Sequence, residues 1–200
     1  RADIGIEEGR IAALGADLHA PGAEVLDASD CLVFPGGVDV HCHLPWPSGE
    51  IISSDDVQTG TRAAIHGGVT TVIDFVIPES GESLMAAVDR KIAETRQGLY
   101  CDYSAHVCVR EVTDATLAEI PLLVKRGFTS FKMFMAYEGF RLEDRDILRV
   151  MQAVRDAGGI VSVHAENGLL ADRATAQLIA AGQRGVEYHG ESRPAYCEHE

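Results

Sequence analysis

The sequence predicts an α/β fold made of consecutive strand–helix units, five in all, arranged as in a (β/α)8 barrel. Apolar segments typical of strands recur roughly every 30 residues, and a segment with helical spacing of apolar residues follows each of them. These strands are apolar on both faces, as parallel strands covered by helices must be. A doubly wound sheet also fits, but no G-x-G-x-x-G follows any strand, so we favour the barrel.

The first 34 residues have a different pattern and predict short strands only. Apolar and polar residues alternate over short stretches there, and Pro35 with two glycines then marks a boundary. We therefore expect two domains, residues 1–34 and residues 35–200, the first too small to fold alone. The predicted strands of the first domain are 2–6, 10–14, 24–28 and 31–34.

The second domain carries the five predicted units. Aspartates precede several of the helical segments and glycines follow them, which indicates capped helices. The predicted strands are 38–43, 69–76, 103–109, 129–137 and 160–165. The predicted helices are 55–65, 83–96, one capped by Asp114 and ending before Gly127, one from Asp144 to Gly158, and 169–181. A closed barrel needs three further units, so we expect the chain to be part of a longer protein.

Charge and cysteine content narrow the class of partner. The net charge is −14 and the pI about 4.9, which argues against nucleic acid or an anionic membrane as the main partner. The five cysteines are odd in number and form no C-x-x-C, so a reducing, cytoplasmic location is expected. No segment has the length of a membrane helix or the form of a signal peptide.

The first strand of the barrel carries two histidines. In an extended strand His41 and His43 point to the same side, and two imidazoles on one side can bind one metal ion. A pair of surface histidines on an ordinary strand is the alternative, because H-x-H alone is a weak pattern.

The fourth strand carries a lysine in an apolar run, S-F-K-M-F-M-A-Y. Desolvation of Lys132 favours the neutral amine, which can capture carbon dioxide as a carbamate able to bridge two metal ions. The alternative is a lysine paired with an aspartate or glutamate.

Two further residues stand where the last predicted strands end. His164 is a third possible ligand, or a core histidine. Tyr137 could donate a hydrogen bond to an oxyanion at the barrel mouth, or could pack at an interface. Asp74 suits a supporting contact or a helix cap, Glu166 stays ambiguous, and His106 is interpreted as a surface or packing residue.

Taken together, five segments resemble the dihydropyrimidinase/D-hydantoinase family of cyclic amidohydrolases. They are G-G-V-D-V-H-C-H-L, T-G-T-R-A-A-I-H-G-G-V-T-T-V-I-D-F, S-F-K-M-F-M-A-Y, V-H-A-E-N-G and H-G-E-S-R-P, which occur in this order along the chain. The resemblance implies a (β/α)8 barrel with a small β-sandwich built from both chain termini. It also implies a homotetramer that hydrolyses a small cyclic amide to an N-carbamoyl amino acid.

The resemblance implies a binuclear zinc site as well. His41 and His43 would bind one ion, His164 the other, and a carboxylated Lys132 would bridge both. Tyr137 would hydrogen-bond the carbonyl oxygen under attack. The family needs one more histidine and an aspartate as general base, and neither is present in this sequence.

The resemblance also bears on the substrate. Dihydroorotases have an arginine, which binds a substrate carboxylate, where this chain has Pro45, so a substrate without a carboxylate is expected. Three aromatic residues could line a pocket for a ring substituent, or pack in the core and loops: Trp46, Phe134 and Phe140. A non-catalytic scaffold of the same fold and another cyclic amidohydrolase, such as an allantoinase, are the alternatives.

Overall fold

The computed structural model describes residues 2–45, 47–48, 51–96 and 98–199. Its strands are β1 (Asp3–Glu7), β2 (Arg10–Gly15), β3 (Gly37–Asp39), β4 (Pro47–Ser48), β5 (Ile51–Ile52), β6 (Val69–Val76), β7 (Asp102–Cys108), β8 (Ser130–Phe134) and β9 (Ile160–His164). Its helices are α1 (Val57–His66), α2 (Leu84–Thr95), α3 (Asp114–Lys125), α4 (Asp144–Ala157), α5 (Gly168–Ala180), α6 (His189–Ser192) and α7 (Tyr196–His199), with a 3-10 turn at Val186–Tyr188. None of the described helices is long and apolar enough to cross a membrane.

Five parallel strands form one sheet in the order β3-β6-β7-β8-β9. Each strand lies beside the next one along the chain, and a helix connects each neighbouring pair. A doubly wound sheet would reverse this order at a switch point, whereas a barrel continues it in one direction. The predicted α/β fold with the first five units of a (β/α)8 barrel is therefore confirmed.

The chain divides into two compact units, Arg1–Pro35 and Gly36–Glu200. In the first unit β1 and β2 form an antiparallel hairpin. The strands predicted at 24–28 and 31–34 are wrong: the structure describes no strand there, and Val25 and Leu26 are more than four-fifths exposed. An alternating pattern indicates a strand only where another strand is available to pair with it.

The two faces of the barrel strands are buried by different partners. One face packs on the helices, with Val107, Phe131 and Met133 fully buried against residues such as Ile120 and Val150. Truncating a side chain such as Phe131 to alanine is expected to destabilise by about 3–5 kcal/mol. The opposite face carries a smaller apolar cluster, which leaves that face for polar side chains.

Side chains cap the starts of α1, α2, α3 and α5, whereas Glu143 before α4 makes no such hydrogen bond. Asp56 forms a capping box with Thr59, and Ser83 caps α2. Asp114 was predicted as a cap but is the first helical residue, because the hydroxyl of Thr113 accepts the hydrogen bond instead.

The first and fourth barrel strands are shorter than predicted. β3 ends at Asp39, so the prediction that His41 and His43 lie within the strand is wrong. The Asp39 carboxylate accepts a hydrogen bond from the backbone N–H of His41 at 3.0 Å, which favours a turn over continued extension. β8 ends at Phe134, which places Tyr137 in the loop beyond it.

Candidate active site

The candidate site residues of the strands lie on the sheet face opposite the helices. Parallel pairing places them side by side, because residues in register on neighbouring strands point the same way. The register pairs are Phe75 with His106, Cys108 with Lys132, and Phe134 with His164. The carboxyl ends of these strands meet at the edge where barrel enzymes carry their active sites.

His41 and His43 come together although neither belongs to a strand. Their ring centres are 5.3 Å apart, and each lies 4.7 Å from the ring centre of Phe75. The backbone N–H of Cys42 donates to the carbonyl of Ile73 at 3.3 Å, which continues the line of β3 along β6. The predicted proximity of the two imidazoles is present, but Phe75 and the neighbouring strand produce it rather than strand alternation.

The pKa shifts show that the cationic groups share one environment. Burial lowers the pKa of His41, and the charges of Lys132, His106 and His164 lower it further. Burial also lowers the pKa of His43, with His41 and Lys132 acting in the same direction. The site therefore favours neutral imidazoles, the form that binds metal.

Lys132 is buried among aromatic rings. The residue is 5% exposed, and its Nζ lies 5.1 Å from the ring centre of Phe134 and 6.0 Å from that of Phe75. Burial lowers the pKa of its amine. Among the ion pairs of the described residues none involves Lys132, so the alternative of a lysine paired with an acid finds no partner there. A lysine inside an apolar strand was the sequence pattern that predicted this buried amine with a lowered pKa.

His164 lies at the end of β9 in contact with Glu166, Tyr137 and Phe134. Its Nε2 is 3.0 Å from Glu166 Oε2, and its ring centre is 5.0 Å from that of Tyr137. Arg193 Nη1 donates to the same Glu166 oxygen at 2.9 Å, and its guanidinium lies 5.0 Å from the Tyr137 ring centre. Burial raises the pKa of Glu166, but the contacts with His164 and Arg193 outweigh it and leave that pKa lowered.

Asp74 and Lys91 form a buried ion pair on the opposite, helix-covered face of the sheet, between β6 and α2. Asp74 Oδ2 accepts from Lys91 Nζ at 2.7 Å and from the Tyr103 hydroxyl at 3.0 Å. Burial and then Asp74 raise the pKa of the Tyr103 phenol, which therefore stays protonated. Sequence reasoning noted Asp74 as a supporting residue and missed Lys91; an acid inside an apolar strand is the signal that a buried cation must lie nearby.

The three aromatic residues predicted to line a substrate pocket do not all lie in comparable places. Phe134 is 8% exposed and packs against Phe140, with ring centres 5.2 Å apart. The guanidinium of Arg110 lies 4.5 Å from the Phe140 ring centre, and Arg110 also donates to the carbonyl of Gly139. Trp46 lies outside the described residues.

His106 belongs to the candidate site more closely than the sequence indicated. Its Nδ1 is 2.6 Å from the Ser130 hydroxyl, and its Nε2 is 2.8 Å from the carbonyl of Val40. The ring therefore connects three strands or their extensions, and it packs 4.9 Å from Phe75. Both nitrogens already have partners, so His106 acts as a support for the segment that carries His41.

Comparison with known proteins gives the family. The sequence model of the amidohydrolase family matches residues 32–198. The chain belongs to the amidohydrolase family. It is 45% identical to a D-hydantoinase of Streptomyces coelicolor over its whole length, and 41% identical to a D-hydantoinase of Geobacillus stearothermophilus. The crystal structure of dihydropyrimidinase from Brevibacillus agri superposes with a TM-score of 0.95 at 38% identity over 99% of the chain.

This amidohydrolase chain spans less than half of these relatives. It covers 44% of the Streptomyces protein, 43% of the Geobacillus protein and 43% of the Brevibacillus chain. The similarity therefore extends over the whole of this chain but over only part of each relative.

Amidohydrolases are generally metal-dependent, so the side chains of the site must offer suitable ligand atoms to a metal ion. Within the described ranges no three His, Cys, Asp or Glu side chains converge in a way that could hold an ion. Two of the predicted ligand imidazoles, those of His41 and His43, lie side by side. The third, that of His164, lies apart from them at the end of β9. Three neutral imidazoles bring no negative charge, so the donor set fits two divalent cations only if Lys132 supplies an anionic oxygen ligand. A buried amine with a lowered pKa is the chemical precursor of such a ligand.

Proposed function

We propose that this chain carries part of the active site of a zinc-dependent hydrolase that opens cyclic amides. The substrates would be dihydropyrimidines or 5-substituted hydantoins, and the products N-carbamoyl amino acids. The observation that carries the proposal is the position of Lys132, a buried amine without an ion pair among the described residues. Lys132 lies on the same face of the sheet as His164. Its charge also lowers the pKa of His41. The names of the relatives support the same reaction class.

The three histidines and Lys132 would serve as ligands for two zinc ions. His41 and His43 would bind one ion and His164 the other. The neutral amine of Lys132 would attack carbon dioxide, form an N–C bond and lose a proton, and the resulting carbamate would bridge the ions. When bound, the ions would lower the pKa of a water molecule and so supply hydroxide near neutral pH. The resemblance puts one more histidine and the aspartate general base outside this sequence.

Tyr137 is the residue of the chain that would act on the substrate directly. Its ring lies beside His164, and its phenol can donate a hydrogen bond to the carbonyl oxygen as negative charge develops there. In the net reaction the oxygen of water bonds to the ring carbonyl carbon, the C–N bond breaks, and a proton goes to the leaving nitrogen. An aspartate positioned by other parts of the fold would carry that proton.

A neutral ring is the proposed substrate class. Pro45 offers no charge to a substrate carboxylate, and Phe140 together with Trp46 would contact an apolar ring substituent. Phe134 is largely buried, so its part in the pocket would be to pack against Phe140 and His164 and hold them in position.

The proposed assembly is a homotetramer, as the resemblance implies. The proposed location is the cytoplasm, because the odd number of cysteines and the lack of a C-x-x-C motif suit a reducing compartment.

Turnover and metal content of the full-length protein test this proposal. Zinc-loaded protein is expected to contain about two zinc ions per subunit and to hydrolyse dihydrouracil and a 5-aryl hydantoin faster than allantoin. Absence of bound zinc would favour a non-catalytic scaffold, and a preference for allantoin would favour an allantoinase. Either result would overturn the proposal.

A further inference from the structure

Four side chains around the end of β9 form a closed ring of contacts. Glu166 Oε2 lies 3.0 Å from His164 Nε2 and 2.9 Å from Arg193 Nη1. The Arg193 guanidinium covers the ring of Tyr137 at 5.0 Å, and that ring lies 5.0 Å from the His164 ring. Glu166 is the most buried of these residues, at 6% exposure. One carboxylate therefore faces both an imidazole and a guanidinium in a partly desolvated position.

The Glu166 contact determines which nitrogen of His164 carries the proton. A carboxylate accepts hydrogen bonds, and the Glu166 oxygen that faces His164 also accepts from Arg193 Nη1 at 2.9 Å. The Nε2 atom of His164 must therefore be the protonated nitrogen of the neutral ring. Its Nδ1 then keeps a lone pair, and it is the nitrogen that can bind a metal ion.

The position of Arg193 is itself fixed by the backbone near Glu166. The backbone N–H of Asn167 donates to the carbonyl of Cys197 at 2.7 Å, and Cys197 is 2% exposed. This contact ties the segment that follows Arg193 to the residue that follows Glu166. The pair is thus a feature of the fold, and two segments about 27 residues apart meet to form it.

We propose that Glu166 and Arg193 are positioning residues that hold His164 as the Nε2–H tautomer and so present Nδ1 to a metal ion. The inference rests on the proposed function in one respect, that His164 is a metal ligand. Glu166 would act as the outer partner of a ligand histidine, with Arg193 holding that carboxylate in place. Loss of such an outer partner typically lowers metal affinity by roughly 10–100-fold.

The test compares three variants of the full-length protein with a matched control. Glu166→Leu removes the acceptor, and Glu166→Gln keeps one acceptor oxygen. The double variant Glu166→Leu/Arg193→Met removes both charges and therefore remains informative if an unpaired Arg193 prevents folding. Glu82→Leu is the control, because Glu82, in the loop before α2, pairs with Arg90 of α2 at 2.8 Å and its side chain is 17% exposed.

The first readout is the tautomer of His164 in metal-free protein, measured by 15N NMR of labelled histidine and assigned with His164→Gln. Wild type, the control and Glu166→Gln are expected to show the Nε2–H form, and Glu166→Leu or the double variant a mixture or the Nδ1–H form. The second readout is zinc affinity, expected to fall roughly 10–100-fold in the leucine variants and to be mostly restored in Glu166→Gln. An unchanged tautomer, or wild-type zinc affinity, in the leucine variants would overturn the inference.

These readouts separate the inference from the proposed function. If the protein hydrolyses cyclic amides but Glu166→Leu leaves the tautomer and zinc affinity unchanged, only the positioning role fails. If the tautomer changes as expected but the wild-type protein binds no zinc, the proposed function fails, and with it the metal-binding part of the inference.

Discussion

Lys91 and Asp74 form an ion pair of 2.7 Å in which the lysine side chain is 8% exposed and the carboxylate 1%. The same two side chains hold Leu44 from both sides of its peptide unit. Lys91 Nζ donates to the Leu44 carbonyl at 2.8 Å, and Asp74 Oδ1 accepts from the Leu44 N–H at 3.2 Å. Because Leu44 follows His43 directly, the pair fixes the exit of the segment that carries both histidines.

Breaking this pair from one side is expected to be strongly destabilising. Lys91→Met leaves the Asp74 carboxylate buried and uncompensated, which typically costs about 3–5 kcal/mol of unfolding free energy. We also expect reduced zinc content, because the His41–His43 segment loses its anchor. Urea denaturation and metal analysis of the full-length protein measure the two effects.

The exposed pair of Asp89 and Arg126 provides the control for this prediction. Asp89→Asn breaks an ion pair at the surface and should change the free energy of unfolding by about 1 kcal/mol or less. If Lys91→Met were no more destabilising than Asp89→Asn, the anchoring role would be excluded.

Lys132 is expected to be indispensable for metal binding. Lys132→Ala removes the amine that forms the proposed carbamate, so zinc content and turnover should both be lost. Short carboxylic acids added to this variant should restore part of each, because a free carboxylate can occupy the place of the carbamate. Lys125→Ala, at the exposed end of α3, should behave like wild type. Full activity of Lys132→Ala would rule out the carbamate.

The fold could be predicted wherever the signal is local in sequence. The strand 69–76 was predicted with the bounds that the structure gives, because a mostly apolar, β-branched stretch begins directly after two glycines and ends shortly before a proline. The end of β3 could not be predicted, because it depends on a side-chain contact of Asp39 rather than on pattern. The false strand at 24–28 shows the same limit, since alternation does not reveal a pairing partner.

The candidate site divides in the same way. Residues with unusual chemistry for their place, such as Lys132 in an apolar strand, can be recognised singly. The pairs that support the site could not be recognised from the sequence. They join residues far apart along the chain, and their contact depends on how the strands and helices pack. Lys91 reaches Leu44 across 47 residues, and Arg193 reaches Glu166 across 27. His106 was interpreted as a surface or packing residue, because its register beside Phe75 is known only from strand pairing.

The two histidines His41 and His43 should make the metal-free protein less stable in mild acid. Their pKa values are lowered in the folded state, by burial first, from the ordinary value of 6.5. Between the folded and unfolded pKa values the unfolded chain binds more protons, so stability falls as the pH drops below about 6.5. Glu166, whose pKa is also lowered, starts from 4.5 and adds its effect only in stronger acid.

Urea midpoints at pH 7.5 and pH 5.5 measure this dependence in metal-free, full-length protein. The wild type should lose stability between the two values, and His41→Asn/His43→Asn should lose less. His66→Asn, at the exposed end of α1, is the control and should keep the wild-type slope. Equal slopes in all three proteins would show that the imidazoles are not desolvated.

Tyr137 should affect the chemical step rather than the fold or the metal. Its backbone has φ 71°, a conformation rare for tyrosine, and its carbonyl accepts from the N–H groups of Phe140 and Arg141 at 3.1 and 2.9 Å. This turn aims the ring at His164 independently of the hydroxyl. Tyr137→Phe should therefore keep zinc content and stability while kcat falls roughly 100–1,000-fold, the usual effect of losing one oxyanion donor. Steady-state kinetics with a 5-aryl hydantoin measure it, with Tyr196→Phe as the exposed control. A kcat within about twofold of wild type would remove Tyr137 from the proposed oxyanion site.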